Sequence, residues 1–145
     1  MEDKQPCIFC AIVAGTASAH RIYEDELSMA ILDIHPLAQG HVLVLSKRHV
    51  PWWHELSTDE TTSVFKTANL VANKLMRALS PDFVCMYARG RRIPHTHIFL
   101  VPTFSGDVLD RFFNTLEKVQ ESPQELAQLK QVAAMTETAA LLRSA

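Results

Sequence analysis

Apolar positions along the chain follow two different periods, and the change of period falls near Pro102. Before it, short runs rich in β-branched and aromatic residues are bounded by proline, glycine or acidic turns, which is the pattern of strands. Arg21–Asp25 and Ser28–Ile34 read as a hairpin across Glu24-Asp25-Glu26. His41–Leu45 is continuous in apolar character and reads as a central strand, with His41, Leu43 and Leu45 on one face. Phe83–Tyr87 and Ile93–Pro102 supply two more strands. One helix interrupts this series. Ser57-Thr58-Asp59-Glu60 forms a capping box, and Val64, Ala68, Val71, Leu75 and Leu79 then recur at helical spacing up to Ser80-Pro81. At the start of the chain, Cys7–Gly15 is a short apolar turn of structure stopped by its glycine.

Beyond Pro102 the period is helical. Asp107–Leu116 carries an apolar stripe, and Ser122-Pro123-Gln124-Glu125 reads as a second capping box opening a helix toward Leu142, with Leu126, Leu129, Ala133, Thr136 and Ala140 roughly on one face. The order of elements predicts an α+β domain: an antiparallel sheet of about five strands covered by one long helix, with a C-terminal helical extension. A chain of 145 residues, 48% hydrophobic, suffices for one core. A single domain over 1–145 is expected, with residues 1–102 as its core and 103–145 as the extension.

Charge removes several functional classes. A formal net charge of -2 gives no general attraction to nucleic acid or to anionic membranes, so phosphate recognition has to be local. Met1–Pro6 lacks the layout of a signal peptide and no apolar run is long enough to span a membrane, so a cytoplasmic protein is expected. Three cysteines in a reducing compartment make no disulfide framework.

The chemistry concentrates in the last strand. Alternation along Ile93–Pro102 places His95, His97 and Phe99 on one face, so two imidazoles share one location and each needs a partner, a metal or a substrate. Cys7 and Cys10, spaced C-x-x-C, are open to three readings: a redox pair, inert thiols, or half of a tetrahedral zinc site completed by histidines from elsewhere. Arg89-Gly90-Arg91-Arg92 is a basic connection leading into the His95 strand. Trp52 and Trp53 are read as packing against the domain, although a partly exposed ring can stack a base; His20, His35 and His54 are read as surface or turn residues.

His95-Thr96-His97-Ile98-Phe99-Leu100-Val101 resembles the H-x-H-x-H-x-x signature of the histidine triad family of nucleotide hydrolases and transferases, with Phe99 in place of the third histidine. Asp33-Ile34-His35-Pro36, Gly40–Leu45 and Lys47-Arg48-His49-Val50 resemble three further blocks of that family, D-I-x-P, G-H-x-L-V-I-P and K-x-H-I. The resemblance implies the histidine triad fold, commonly a homodimer with a joined sheet. It implies hydrolysis or transfer at the α-phosphorus of a purine nucleotide derivative, a nucleoside phosphoramidate or a dinucleoside polyphosphate. His97 would be the nucleophile and His41 an orienting partner. Asp33 would hold the ribose hydroxyls, with Ile34 and Phe99 beside the nucleotide. Arg91 and Arg92 replace polar residues of the family and qualify as phosphate ligands by chemistry alone. Family members with the same N-terminal cysteine pair hold a structural zinc, which here would use Cys7, Cys10, His49 and His95. Phe99 neither donates nor accepts a proton, so the rival expectation is a non-catalytic nucleotide-binding module of the same fold. Metal-dependent hydrolysis with His95 and His97 as ligands lacks a carboxylate partner on the strand.

Overall fold

The computed structural model describes residues 6–121 and 124–145. The chain forms two compact units, one running to Ser105 and the other from Gly106 to Ala145.

The first unit is built on a five-stranded antiparallel sheet. Its strands are β1 (Arg21–Glu24), β2 (Ser28–Leu32), β3 (Val42–Ser46), β4 (Phe83–Tyr87) and β5 (His97–Thr103), in the spatial order β1-β2-β3-β5-β4. The β1–β2 hairpin turns where the acidic cluster stands, because Asp25 Oδ1 accepts the backbone N–H groups of Leu27 and Ser28. β5 lies between β3 and β4 and pairs with β3 through Leu45 opposite His97 and Leu43 opposite Phe99. On its other side it pairs with β4 through Tyr87 opposite Phe99.

Helix α2 (Thr58–Leu79) covers one face. Its capping box is complete: Ser57 Oγ accepts from Glu60 N–H and the Glu60 carboxylate accepts from Ser57 N–H. Val64, Ala68, Val71 and Leu75 are buried against Ala30, Val42, Val44, Ile98 and Leu100 of the sheet. Gly40, at φ +86, leads into β3 in a conformation that L side chains rarely adopt, and a Cβ there would press on Leu79 Cδ1 at 2.7 Å. The opposite face carries α1 (Ile8–Ala14), whose Phe9 and Ile12 pack on Met29, Ile31, Leu43 and Leu45. Gly15, left-handed at φ 81, closes α1.

Two sequence expectations shift here. The strand expected over Ile93–Pro102 begins only at His97, because Pro94 breaks the ladder and His95 N–H turns back to Ile93 O at 2.8 Å. His95 therefore reaches its neighbours from a turn rather than from the strand face.

The second unit holds α3 (Val108–Glu121), a 3₁₀ turn (Ala127–Lys130) and α4 (Val132–Ser144). The closing helix was expected to open at the Ser122-Pro123 capping box. Those two residues lie outside the described ones, and α4 starts only at Val132, with Gln131 extended before it. The intervening turn is used otherwise: Lys130 Nζ donates to Gln120 O at 2.6 Å, satisfying a carbonyl at the end of α3. No helix among the described residues is long and apolar enough to cross a membrane.

Candidate active site and metal centre

The face of the sheet that packs against α1 gathers the polar chemistry. His41 precedes β3 and His97 opens β5, and the strand register brings Phe99, Tyr87 and Leu43 to the same face between and beside them. Thr96 fixes the approach to His97: its N–H and its hydroxyl both donate to Val50 O, each at 2.7 Å.

His97 is buried, and its Nδ1–H donates to the His95 carbonyl at 2.6 Å. That bond assigns the proton to Nδ1 and leaves the Nε2 lone pair available. Burial holds the ring below its ordinary pKa, opposed by the His95 carbonyl and by the Asp33 charge. A neutral imidazole with one nitrogen anchored and the other unprotonated has the electronic form of a nucleophile.

His41 is polarised the other way. Its Nδ1 accepts Leu37 N–H at 3.1 Å, so the proton sits on Nε2. Nε2 lies 3.5 Å from Asp33 Oδ2, an electrostatic contact that is too long and poorly aligned for a hydrogen bond. It is the one buried side-chain nitrogen or oxygen among the described residues that lacks a partner, and a buried donor of this kind is suited to a ligand. Burial lowers the His41 pKa, with Asp33 opposing. Asp33 itself is oriented by accepting His35 N–H on Oδ1 at 2.7 Å. Ile34 beside it is 82% exposed.

Phe99 fills the place between these groups. Its ring stacks parallel on Tyr87 at 4.7 Å and meets His97 at 5.1 Å and His41 at 5.5 Å. Phe9 of α1 closes the histidines from the other side, 5.0 Å from His97 and 5.7 Å from His95. Sequence spacing gave no sign of Phe9, which meets the site only through the packing of α1.

Next to His97 lies a cluster of four metal-ligand side chains. The ligand atoms of Cys7, Cys10, His49 and His95 all lie within 4.8 Å of one another. Cys7 Sγ is 3.4 Å from His95 Nδ1, Cys10 Sγ is 3.5 Å from the same atom, and Cys10 Sγ is 3.2 Å from His49 Nδ1. A tetrahedron with Zn–S of about 2.3 Å and Zn–N of about 2.0 Å has S···N edges of about 3.5 Å, so the set fits zinc. The outer contacts agree: His95 Nε2–H donates to Ser46 O at 2.6 Å, turning the Nδ1 lone pair toward the thiols.

Arg91 and Arg92 are exposed, and the cleft that adjoins His97 is lined instead by Arg89, with Gly90, Trp52, Trp53 and His54. The sequence predicts a surface or turn position for His54 and a basic connection before the His95 strand for Arg89, and assigns neither to the site. Nothing local marks them, because a loop after β3 and a loop before β5 meet only in space.

An antiparallel sheet with α1 on one face and α2 on the other, and with its histidines and cysteines gathered on the α1 side, defines the class: an α+β domain with its candidate site at one face of the sheet. A family model described as HIT domain matches residues 14–106, and the chain belongs to that family. Its relatives include adenylylsulfatase HINT3 of Arabidopsis thaliana, 32% identical over 108 residues that make up 71% of this chain and 55% of that protein. The chain thus spans about half the length of that relative. Adenosine 5'-monophosphoramidase hnt1 of Schizosaccharomyces pombe is 33% identical over 101 residues, 66% of this chain and 73% of the relative. Among solved structures, a Zn-bound histidine triad family protein from Mycobacterium smegmatis superposes with a TM-score of 0.67 at 33% identity, covering 72% of this chain and 79% of the other. Relatives with hydrolase names support nucleotide hydrolysis at the level of the family, and the Zn-bound neighbour is compatible with a metal at the cysteine-histidine cluster.

Proposed function

We propose that this protein hydrolyses or transfers at the α-phosphorus of a nucleotide derivative, with His97 as the nucleophile. The observation that carries the reading is the bond from His97 Nδ1–H to the His95 carbonyl, which leaves Nε2 as a free base on a buried ring. In the reaction the Nε2 lone pair forms an N–P bond while the bond from phosphorus to the leaving group breaks, its electron pair departing with the leaving atom. Water then attacks phosphorus and loses a proton, and the N–P pair returns to Nε2. The His41 Nε2–H, buried without a partner, is free to donate to a phosphoryl oxygen, and the Asp33 carboxylate offers acceptors for the ribose hydroxyls. Ile34 gives an exposed apolar surface for a base.

Cys7, Cys10, His49 and His95 would hold zinc as a closed four-ligand site, supplying structural crosslinking and leaving no position for a bound water. The metal would fix α1 and the turn before β5, so that the His95 carbonyl stays in place to anchor His97.

A second reading, a nucleotide-binding module without turnover, is favoured by Phe99, which brings no proton donor to the leaving group. The two are separated by incubating the protein with diadenosine tetraphosphate and with adenosine phosphoramidate. Release of AMP from either, lost at least a thousandfold in His97→Ala while AMP binding persists, is the expected result. Binding without release by the wild type would establish the second reading, and full turnover by His97→Ala would remove the nucleophile assignment.

A further inference from the structure

The reaction at His97 moves two protons. A poor leaving atom takes one as its bond to phosphorus breaks, and the attacking water gives one up in the second step. His97 Nδ1–H is held against the His95 carbonyl, its Nε2 is committed to phosphorus, and Phe99 has no exchangeable proton. The lone pair of His41 is engaged by Leu37 N–H, and its Nε2–H faces Asp33. His95 turns Nδ1 to the thiols.

The neighbouring strand supplies another titratable group. β4 flanks β5 on the side away from β3, and its register sets Tyr87 directly opposite Phe99. Paired residues of an antiparallel ladder rise on the same face. Their rings lie parallel, 9° apart, with centroids at 4.7 Å. Phe99 in turn meets His97 at 5.1 Å along its own strand. Tyr87 therefore carries, one strand over, the polar ring atom that position 99 lacks. Cys85 rises on the same face but stands opposite Val101, one pair further from His97.

We propose that Tyr87 is the general acid and base of this site: its phenol protonates the leaving atom in the first step, and its phenolate takes a proton from the attacking water in the second. This rests on the nucleotidyl-transfer reading of His97 and supplies the proton carrier that the two steps require.

The atoms balance over the cycle. As His97 Nε2 forms the N–P bond, the pair of the breaking bond moves to the leaving atom and the Tyr87 hydroxyl proton joins it there. As water then forms its P–O bond, the N–P pair returns to Nε2 and a water proton restores the phenol. In-line displacement puts the leaving atom on the side of phosphorus away from His97 Nε2. An atom leaving over the Phe99 ring has Tyr87 as its neighbour across the sheet.

The environment keeps the phenol in its acid form. Burial raises the Tyr87 pKa above its ordinary value, and the neighbouring Cys85 and Asp33 act in the same direction. A hydroxyl that stays protonated near neutral pH is ready to donate, and the phenolate it leaves is a strong base for water. The stack on Phe99 holds the ring on a strand rather than on a loop, which favours a fixed geometry. Tyr87 also lines an apolar cavity of about 260 Å³ with Trp53, Phe65, Met86 and Ile98. A phenyl ring would serve that cavity and the stack equally well, so the hydroxyl alone separates chemistry from packing.

Tyr87→Phe makes that separation. Adenosine phosphoramidate, whose leaving nitrogen needs a proton, is compared with the p-nitrophenyl ester of AMP, whose leaving group departs as a stable anion. The variant should lose phosphoramidate cleavage by about a hundredfold or more in single turnover, the lower end of what a positioned acid contributes. Its burst of p-nitrophenolate should keep the wild-type rate, followed by slow AMP release and a nucleotidyl adduct on His97 visible by intact mass. Phe99→His added to Tyr87→Phe should restore phosphoramidate cleavage, because an imidazole titrates nearer neutral pH and supplies the proton from the adjacent position. Unchanged phosphoramidate cleavage in Tyr87→Phe would overturn the assignment and leave the His97 reading standing. So would an equal loss in the p-nitrophenolate burst, or a loss that Phe99→His does not restore, since both mark a structural role. Wild-type protein that forms no adduct and releases no AMP from either compound would overturn both.

Discussion

At the scale of single residues, the two imidazoles divide their roles through the bonds their other nitrogens make. His95 donates from Nε2 to Ser46 O and presents Nδ1 to the thiols, while His97 donates from Nδ1 to His95 O and presents Nε2 to the site. The histidine pair and the displaced third histidine were legible in the sequence because spacing of two along an extended segment is a local property. Phe9 and His54 are not, since each reaches the site from another part of the chain, and within the basic connection before His95 the charge pattern does not single out Arg89 from Arg91 and Arg92. Phe99→His tests what the phenyl ring withholds. A proton donor positioned at the leaving atom contributes about 10²–10⁴-fold in general acid catalysis. The substitution should raise turnover of adenosine phosphoramidate at least tenfold while changing that of diadenosine tetraphosphate far less, as measured by initial rates of AMP release. An equal change on both substrates would show that position 99 acts by shape, through its stack on Tyr87, and not by proton supply.

At the scale of elements, legibility tracked how strongly a segment states its own boundaries. Helix α2 was readable at both ends from a capping box and a proline, and its apolar stripe is the one that is buried. The start of β5 and the start of α4 are not, because one follows the turn at Pro94-His95 and the other follows a 3₁₀ turn over Ala127–Lys130 and an extended Gln131. The N-terminus of α2 also carries a charge device. Glu60 is almost fully buried, yet its carboxyl is drawn from 4.5 down to about 2, chiefly by hydrogen bonds from Arg48 and further by those from Ser57. Arg48 Nη2 lies 2.7 Å from Glu60 Oε1. A carboxyl with a depressed folded pKa stabilises fully above its unfolded value, and that stabilisation is lost as pH falls toward the folded value. Thermal unfolding of the wild type should therefore lose stability between about pH 4.5 and 2 through this group. Glu60→Gln should be less stable at pH 7, with the gap to wild type closing over that window. A gap that stays constant with pH would mean the ion pair is not what the cap depends on.

At the scale of the whole molecule, what joins the N-terminal helix to the catalytic face is four side chains from three separate stretches. Cys7 and Cys10 come from the start of α1, His49 from the loop after β3 and His95 from the turn before β5. Their apolar backing is modest, since α1 has only seven residues and buries only Phe9 and Ile12. A crosslink at this corner would hold Phe9 over His97 and fix the carbonyl that sets the His97 tautomer, so metal occupancy should be felt in both stability and activity. Protein purified without an affinity tag should contain close to one zinc per chain by elemental analysis. Cys7→Ser with Cys10→Ser should remove it. Structural zinc sites contribute folding free energy directly, and a loss of a few kcal/mol corresponds to a fall in Tm on the order of 10 °C for a unit of this size. The same variant should release AMP more slowly through a lower kcat, because His97 is less well held, while Asp33, which is not one of the four ligands, should keep KM near its original value. Wild-type protein that is metal-free as purified, and whose Tm and kcat are unchanged in the double variant, would show that packing of Phe9 alone secures the corner.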